Sequence, residues 1–248
     1  MMIKNVEDPI RWDNLVDRQV QLWQKREEDE KENTDLNEKV WNTSLITISR
    51  TYGARGYRIG ELIAKKLNWQ VYSRELVEYI SDSTNLRHKV VADFDEKKKQ
   101  GSFSKALLNP SAYSSDKHYR RLIQVILSIA DHGRAVIVGR GANFITEKEN
   151  HFHVRVTASL EHRIQRYANK NKVSYKEAKK IVEGVDRERA EYIAHHFKAD
   201  VADPHHYHLV INVEQLTNEQ VARIIVSALG IKLGSPIPDN TGADSGSS

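Results

Sequence analysis

One stretch of the sequence decides the fold: Leu45-Ile46-Thr47-Ile48-Ser49-Arg50-Thr51-Tyr52-Gly53-Ala54-Arg55-Gly56-Tyr57-Arg58-Ile59-Gly60. A short apolar run leads into a turn that contains glycines, and a helical pattern follows with apolar residues at Ile59, Leu62, Ile63 and Leu67. A strand, a glycine loop and a helix in this order make a phosphate cradle, because backbone N–H groups and the helix N-terminus face an anion. The stretch therefore predicts an α/β fold with a phosphate site at the glycine loop.

The glycine loop departs from the full pattern of a nucleotide-phosphate loop. In the pattern G-x-x-x-x-G-K-[ST], the lysine binds the β- and γ-phosphates and the hydroxyl binds Mg²⁺. Here Gly56 stands at the lysine position, and neither Tyr57 nor Arg58 after it is the serine or threonine of the pattern. Two interpretations follow: Arg50, Arg55 and Arg58 replace the missing groups, or the loop is a tight turn whose glycines serve backbone geometry alone. Arginine cannot bind Mg²⁺, so no metal-ligating residue is predicted.

The composition indicates a globular protein without membrane spans. The chain has 248 residues, of which 39% are hydrophobic and 29% are charged. No apolar stretch approaches the ~18–20 residues that cross a bilayer, and the early charges Lys4, Glu7 and Asp8 do not suit a signal peptide. Cysteine is absent, which excludes disulfides and thiolate metal sites and predicts a cytoplasmic location.

The charges are distributed unevenly along the chain. Residues 1–42 contain 11 Asp and Glu against 7 Lys and Arg, a net charge of −4. Because the whole chain carries +4, the remainder carries +8, and a basic core suits an anionic ligand. Nucleic acid is not favoured, because no segment interleaves basic and aromatic residues in the manner of a single-strand binding groove.

The chain divides into three predicted parts. Residues 1–42 form a charged helical extension, residues 43–232 an α/β domain, and residues 233–248 a disordered tail rich in Gly, Ser, Pro and Asp. For the extension, both a solvated helix and a docking arm for a second subunit or another face of the core are open. Tryptophans favour docking, because indole rings are seldom fully exposed. The extension contains three of them: Trp12, Trp23 and Trp41.

Short apolar runs alternate with longer helical patterns from Leu45 onward, which predicts βαβ units and a parallel sheet between two layers of helices. Strands are predicted near 45–49, 69–72, 135–138, 152–157 and 208–212. Helices are predicted near 57–67, 74–82, 117–132, 159–170, 174–196 and 217–229. Two pairs have the spacing of a capping box, namely Ser174 with Glu177 and Thr217 with Gln220. A mobile, lid-like loop is predicted at residues 96–116.

Two further groups of residues are candidates for anion contacts. Gly139-Arg140-Gly141 directly follows a predicted strand, and ligands gather at the carboxyl ends of strands in open α/β sheets. The second group contains four arginines and one aspartate: Arg163, Arg166, Arg187, Arg189 and Asp186. Solvated charge and surface salt bridges are the alternatives for both groups. Arg187 and Arg189 would reach one ligand only near a helix end or a break, which Gly184 permits.

Five segments occur in a recognisable order: I-T-I-S-R-x-Y-G-x-x-G-x-x-I-G, V-Y-S-R-E-L-V, V-I-V-G-R-G-A, V-R-V-T-A-S-L-E-x-R-I-x-R and Y-H-L-V-I-N. Together they resemble the cytidylate kinase-like family of the P-loop nucleoside monophosphate kinases. The resemblance runs from about Leu45 to about Leu229 and leaves out the extension and the tail. It implies a three-layer, P-loop kinase-like fold with a parallel sheet of about five strands.

The resemblance also implies a donor site and an acceptor site. The donor loop would hold the phosphates of ATP, with Mg²⁺ carried by the nucleotide, through Gly53, Ala54, Arg55, Gly56, Tyr57 and Arg58. Arg140 matches the arginine that contacts the monophosphate acceptor, although Gly141 replaces the aspartate of that motif. Ser73 stands where relatives commonly carry an aspartate that contacts acceptor or metal.

The remaining candidates match the catalytic arginines of this family. Arg163 and Arg166 match positions of the lid and phosphate clamp. Asp186, Arg187 and Arg189 match a D-R-x-R pattern that helps to hold the acceptor and the transferring phosphate. Transfer of a phosphoryl group needs positioning and cations more than covalent chemistry, which is what arginines of a lid supply.

The expected activity is transfer of the γ-phosphoryl group of ATP to a nucleoside monophosphate, with CMP as the acceptor that the resemblance suggests, or to a similar small acceptor. The alternative is a non-catalytic module that binds a nucleotide or another anion and reports it to a partner through residues 1–42. The missing lysine, the missing hydroxyl and Ser73 favour this alternative. A homodimer formed through the extension is a further expectation.

Overall fold

The computed structural model describes residues 9–29, 36–97, 116–146 and 149–237. Most of the predicted loop at 96–116 and of the predicted tail at 233–248 lies outside the described residues. The five predicted strands and six predicted helices are all confirmed, with ends that differ from the predicted ones by one to four residues or not at all.

Five parallel strands form one sheet in the order β2-β3-β1-β4-β5. The strands are β1 (Leu45–Arg50), β2 (Gln70–Tyr72), β3 (Ala135–Val138), β4 (His151–Thr157) and β5 (Leu209–Asn212). The central strand β1 pairs with β3 on one side and with β4 on the other. The chain changes direction across the sheet at β1, and ligands of open α/β sheets bind outside the carboxyl ends of strands at such a point.

Ten α-helices accompany the sheet in the described ranges. They are α1 (Pro9–Asp29), α2 (Leu36–Asn42), α3 (Gly56–Leu67), α4 (Arg74–Asp82), α5 (Thr84–Lys97), α6 (Lys117–His132), α7 (Ala142–Ile145), α8 (Leu160–Asn171), α9 (Tyr175–Phe197) and α10 (Asn218–Leu233). The sequence patterns did not predict α5 or the single turn α7. The capping box of Thr217 and Gln220 is complete, and the Ser174 side chain accepts a hydrogen bond from the Glu177 N–H, 3.2 Å away.

The sheet is buried on both faces, which confirms the three-layer prediction. Leu45 packs into one apolar cluster with residues of α1, α4, α5 and α6. Ile46 and Ile48 pack into the opposite cluster with residues of α2, α3 and α10. Successive side chains of a strand point to opposite faces, so the continuous apolar run of β1 reflects a strand that is covered from both sides.

The helical extension packs against the α/β core of its own chain. Trp23 is buried and its indole ring stacks on His132 of α6, with ring centroids 4.0 Å apart. Trp12 contacts Tyr79 edge to face, and Trp41 of α2 is buried in the second cluster and donates a hydrogen bond from its Nε1 atom to Ser235 Oγ. The tryptophans of the extension are therefore explained by packing against another face of the core.

A buried histidine in β4 makes the fold sensitive to acid. The Nδ1 atom of His153 lies 2.8 Å from Thr47 Oγ1 of β1, and burial, followed by the nearby His208, lowers the pKa of His153 to about 4. An unfolded histidine has a pKa near ~6.5, so the unfolded chain takes up this proton first as the pH falls. We expect the free energy of unfolding to decrease by about 2 kcal/mol between pH 7 and pH 5 through this group.

Urea denaturation at pH 7, 6 and 5 measures this effect. In the His153→Gln variant the free energy of unfolding should depend less on pH, because glutamine does not titrate. In the control variant His205→Gln, which changes an exposed histidine, the free energy of unfolding should depend on pH as it does in the unmodified protein. An equal slope in the His153→Gln variant would show that other groups cause the acid sensitivity.

Candidate functional site

A cavity of about 180 Å³ opens at the carboxyl ends of β1 and β3. The end of β1, the turn after β3, the start of α4 and one side of α9 line it. Four arginine side chains contribute to its wall: Arg50, Arg74, Arg140 and Arg189. The cavity therefore lies where the strand order predicts a ligand, and its chemistry is strongly cationic.

Arg140 reaches this cavity from the turn that follows β3. Its backbone is left-handed with φ of 55°, and the glycines on either side, Gly139 and Gly141, also have positive φ values of 99° and 65°. The Arg140 guanidinium group forms an ion pair with Glu78 of α4 and lies over the ring of Tyr192, 5.2 Å from its centroid. The tight turn and these two contacts hold Arg140 at the cavity wall.

Arg189 reaches the cavity from α9. Its Nη1 atom donates a hydrogen bond to the backbone oxygen of Arg50, 3.1 Å away. Its guanidinium carbon lies 5.3 Å from the centroid of the Tyr52 ring. These contacts fasten α9 to the end of β1 and place the Arg189 charge beside the Arg50 side chain.

Several donors at the cavity have no hydrogen-bond partner within the described part of the chain. They are the Nε atoms of Arg140 and Arg189 and the Nδ2 atom of Asn143, all of them buried. Buried donors are nearly always hydrogen-bonded in native proteins, and leaving one unpaired costs about 1–3 kcal/mol. The cavity is therefore prepared for a ligand rich in acceptor oxygens, such as a phosphate.

The cations of the cavity repel one another. Burial and then the charge of Arg189 lower the pKa of Arg50 to about 9. Burial and then Arg74 lower the pKa of Arg140, and burial lowers the pKa of Arg189 although Asp186 opposes the shift. An anion among these groups would offset both the desolvation of the guanidinium groups and their mutual repulsion.

Arg163 and Asp186 connect the helices that follow β4 to the glycine loop. The Nη1 atom of Arg163 in α8 lies 2.5 Å from Asp186 Oδ2 in α9. Asp186 Oδ1 accepts a hydrogen bond from the Tyr52 N–H at 2.7 Å, and Arg163 Nη1 also donates to the backbone oxygen of Tyr52 at 3.1 Å. The Arg163–Asp186 pair therefore clamps α8 and α9 onto the loop.

The glycine loop itself is tightly packed. Gly53 has φ of 85°, and a Cβ atom there would lie 3.3 Å from Arg163 Cβ, so glycine suits both the conformation and the close approach. Ala54 is buried, and its N–H donates to the Thr51 backbone oxygen at 3.2 Å. Gly56 is the first residue of α3, and Tyr57 after it is exposed.

The two arginines predicted to hold the donor phosphates point elsewhere. Arg55 is left-handed with φ of 65°, and its Nη2 atom donates to the backbone oxygens of Val213 and Leu216 after β5, at 2.5 and 3.0 Å. Arg58 forms an ion pair with Glu61 one turn further along α3, at 3.1 Å, and 63% of its side chain is exposed. Neither side chain lines the cavity.

The other predicted arginines are only partly brought together. Gly184 permits a break but does not make one, since α9 runs unbroken from Tyr175 to Phe197. Positions three apart share a helix face, so Asp186 and Arg189 both face the loop and the end of β1, whereas Arg187 is exposed. Arg166 of α8 is largely exposed, and its partial burial and then the charge of Arg55 lower its pKa. Neither Arg166 nor Arg187 lines the cavity.

Ser73 serves the local backbone in the described structure. Its side chain accepts a hydrogen bond from the Leu76 N–H at 3.1 Å and thereby caps the N-terminus of α4. The residue after it, Arg74, lines the cavity and pairs with Glu78 at 3.6 Å. No role was predicted for Arg74, although its position two residues after the end of the short strand β2 is a signal that could have identified it.

Comparison with known proteins places the chain in a family. The sequence model of the cytidylate kinase-like family matches residues 45–215, well over half of the chain. The chain belongs to this family. The match begins with β1 and ends after β5, so it includes the glycine loop, the cavity and every predicted site residue. No sequence among curated proteins matches significantly.

Two solved structures match the chain at low sequence identity, and the first of them shows the same fold. The crystal structure of an uncharacterized protein from Eubacterium ventriosum ATCC 27560 has a TM-score of 0.52 and 18% identity, and the alignment covers 75% of this chain and 98% of that one. A shikimate kinase from Bacteroides thetaiotaomicron has a TM-score of 0.41 and 15% identity over 77% of this chain and 98% of the kinase. At 18% identity, the similarity to the Eubacterium ventriosum protein concerns the fold alone.

Membership of the cytidylate kinase-like family indicates a kinase-like phosphotransferase, a class that generally uses a nucleotide and Mg²⁺. In the described ranges, no three His, Asp or Glu side chains come together in a way that could hold a metal ion. None of the helices described combines the length and apolar character of a bilayer crossing.

Proposed function

We propose that the chain transfers the γ-phosphoryl group of ATP to a small phosphorylated acceptor of the nucleoside monophosphate type, with CMP as the first acceptor to test. One observation carries the proposal: four arginines surround a cavity at the carboxyl ends of β1 and β3, together with several donors that no described residue pairs with. Family membership supports the reaction class, and the cavity supports an anionic acceptor.

The cavity arginines have complementary roles in this proposal. Arg140, held at the turn after β3, binds the acceptor phosphate. Arg189, which comes from the helix clamped to the loop, stabilises the negative charge on the transferring group. Arg163 and Asp186 position the loop and α9 relative to each other. Arg166 and Arg187 would act only after α8 and α9 move toward bound nucleotide, as lids do on binding substrate.

The chemistry needs few groups beyond these. A phosphate acceptor is already a nucleophile, so no protein base is required, and catalysis rests on positioning and on cations aimed at the oxygens of the transferring group. The described side chains at the loop do not provide a Mg²⁺ site, since neither Tyr57 nor Arg58 after Gly56 is the serine or threonine of the pattern. Mg²⁺ therefore enters the proposal only as the counter-ion of ATP.

Coupled ADP release with ATP, Mg²⁺ and a panel of nucleoside monophosphates tests the proposed function. We expect acceptor-dependent release in the unmodified protein, and Arg140→Ala should raise the KM for the acceptor by about tenfold or more while the KM for ATP changes little, because a charged hydrogen-bonding partner contributes about 1.5–3 kcal/mol. The exposed Arg223→Gln variant, which removes a charge on α10, controls for net charge. Release that no acceptor stimulates would contradict the proposal.

A second candidate function rests on the contact between Asp186 and the Tyr52 N–H. The Asp186 carboxylate accepts a hydrogen bond from a backbone N–H of the glycine loop that would otherwise face a donor phosphate. Such a loop suits a module that binds an anion in the arginine cavity without transferring it and reports the ligand to a partner. Nucleoside monophosphate binding that protects the protein from heat, together with no turnover for any acceptor, would favour this function.

Two further expectations accompany both functions. A cytoplasmic location follows from the absence of cysteine in a protein of this kind. Since α1 covers part of the core with its apolar side, a second subunit or partner would contact the outward side of the extension. Light scattering of the purified chain measures whether it dimerises.

A further inference from the structure

The space that a lysine side chain would need at position 56 is filled by Arg50, the last residue of β1. A Cβ atom built on Gly56 would lie 2.9 Å from both Cβ and Cγ of Arg50, closer than real Cβ atoms approach other carbons. The stem of Arg50 therefore passes directly under the N-terminus of α3. A residue larger than glycine at position 56 would therefore clash with the Arg50 side chain.

A second glycine makes room for the other end of the same side chain. A Cβ atom on Gly139 would overlap Nη1 of Arg50 and would lie 2.9 Å from its Cζ atom. Arg50 thus runs from the glycine loop, where donor phosphates bind in related folds, to the turn that carries Arg140. Its guanidinium group lies between the expected positions of donor and acceptor.

Positions 50 and 56 have exchanged their residue types relative to the standard loop. In the pattern G-x-x-x-x-G-K, the first glycine precedes the lysine by six positions. Here the cation stands at the first glycine position, Arg50, and the glycine stands at the lysine position, Gly56. The structure gives this exchange a physical meaning, because the glycine at 56 leaves the space through which the Arg50 side chain passes.

The other loop arginines are committed to protein partners. Arg55 donates to two backbone oxygens after β5, and Arg58 pairs with Glu61 at the surface. Arg50, in contrast, makes no side-chain hydrogen bond or ion pair with any described residue, and its nearest charges include Arg189, Arg74 and Arg140 as well as Glu75. A cation in such surroundings gains more from an anionic ligand than either of the other two.

We propose that Arg50 takes the place of the missing lysine and binds the phosphoryl group that passes between donor and acceptor. This inference rests on the proposed function for its reaction, but its contact with the terminal phosphates of ATP stands independently of turnover. Unlike lysine, arginine presents a planar fork that can bind two phosphate oxygens at once.

The test restores the residue types of the standard loop at positions 50 and 56. Calorimetry measures binding of ATP and of tripolyphosphate to the unmodified chain, to Arg50→Gly, to the double variant Arg50→Gly/Gly56→Lys, and to Arg223→Gln as a charge control. We expect Arg50→Gly to weaken both ligands by at least about tenfold, since hydrogen bonds to charged groups contribute about 1.5–3 kcal/mol. The double variant should regain most of this loss, and Arg223→Gln should bind like the unmodified chain.

The outcomes separate this inference from the proposed function. ATP binding that is equally tight in Arg50→Gly overturns the inference, and so does a double variant that binds no better than Arg50→Gly. If the unmodified chain binds ATP and tripolyphosphate without transferring phosphate to any acceptor, the proposed function fails while the binding ratios still decide the role of Arg50. If the unmodified chain binds neither ligand, both fail. Should Arg50→Gly not fold by its circular dichroism spectrum, Arg50→Gln replaces it in the same comparison.

Discussion

Replacing Arg189 with alanine is expected to lower acceptor-dependent phosphoryl transfer by about 10²–10³-fold, the usual effect of removing one preorganised group that stabilises charge in the transition state. Arg189 lines the cavity, is held by the backbone oxygen of Arg50 and has a buried Nε atom without a hydrogen-bond partner among the described residues. Its charge is therefore fixed before the ligand arrives, so little reorganisation is needed when negative charge develops. The value of kcat under saturating ATP and acceptor measures the effect.

Arg187 is the matched control for this experiment. It stands two residues away on the same helix, carries the same charge and matches the same family pattern, but it is exposed and lies outside the cavity lining. We expect Arg187→Ala to lower kcat by far less than Arg189→Ala, and the melting temperatures of both variants to show that the fold persists. Equal losses in the two variants would mean that α9 turns or breaks during turnover and brings both arginines to the ligand.

The difference between Arg187 and Arg189 illustrates what the sequence could not predict. The pattern D-R-x-R marks both arginines equally, and which of them faces the sheet depends on the rotation of α9 about its axis. Asp186 fixes that rotation by binding the Tyr52 N–H and Arg163 at once. A contact between residues more than a hundred positions apart leaves no local signal, so the sequence predicted the helix itself but not which of its two arginines faces the site.

The fold, in contrast, could be predicted almost completely, because its determinants are local. Four apolar residues at Ala135–Val138 are enough to predict a strand buried on both faces, and Thr217 with Gln220 is enough to predict where α10 begins. The helix α5 was missed because its apolar pattern is weak: among residues 84–91, the part whose side chains the structure describes, Leu86, Val90 and Val91 are the buried positions. Periodicity predicts a helix only where one face of that helix is extensively covered.

The loop arginines show the same limit on a smaller scale. Arg50, Arg55 and Arg58 all flank the glycines, and the last two were predicted to hold the donor phosphates. The structure directs Arg55 to carbonyl groups after β5 and Arg58 to Glu61, and only Arg50 reaches the cavity. The signal that distinguishes Arg50 is its place at the carboxyl end of the central strand, where strand order, rather than the motif, predicts a ligand.

The clamp between Arg163 and Asp186 predicts the largest loss of stability. Only 7% of the Arg163 side chain and 26% of the Asp186 side chain are exposed. Asp186→Ala would leave a buried guanidinium group without its carboxylate and the Tyr52 N–H without its acceptor. Removing one partner of a buried ion pair costs about 3–5 kcal/mol, and we expect a decrease of about 3 kcal/mol in the free energy of unfolding, because Asp186 keeps some contact with solvent.

Glu183→Ala gives the matched control, since Glu183 lies one turn earlier on α9 and pairs with Lys179 at 3.9 Å at the surface. Exposed ion pairs contribute about 0–1 kcal/mol, so this variant should unfold close to the unmodified chain in urea. A double-mutant cycle with Arg163→Ala measures the coupling of the clamp, and a coupling near zero would contradict it. The same variants separate the hydrogen bond of Asp186 from its charge. If the coupling is strong, Asp186→Ala loses phosphoryl transfer and Asp186→Asn retains part of it, then the hydrogen bond to the glycine loop, rather than the carboxylate charge, maintains the geometry of the site.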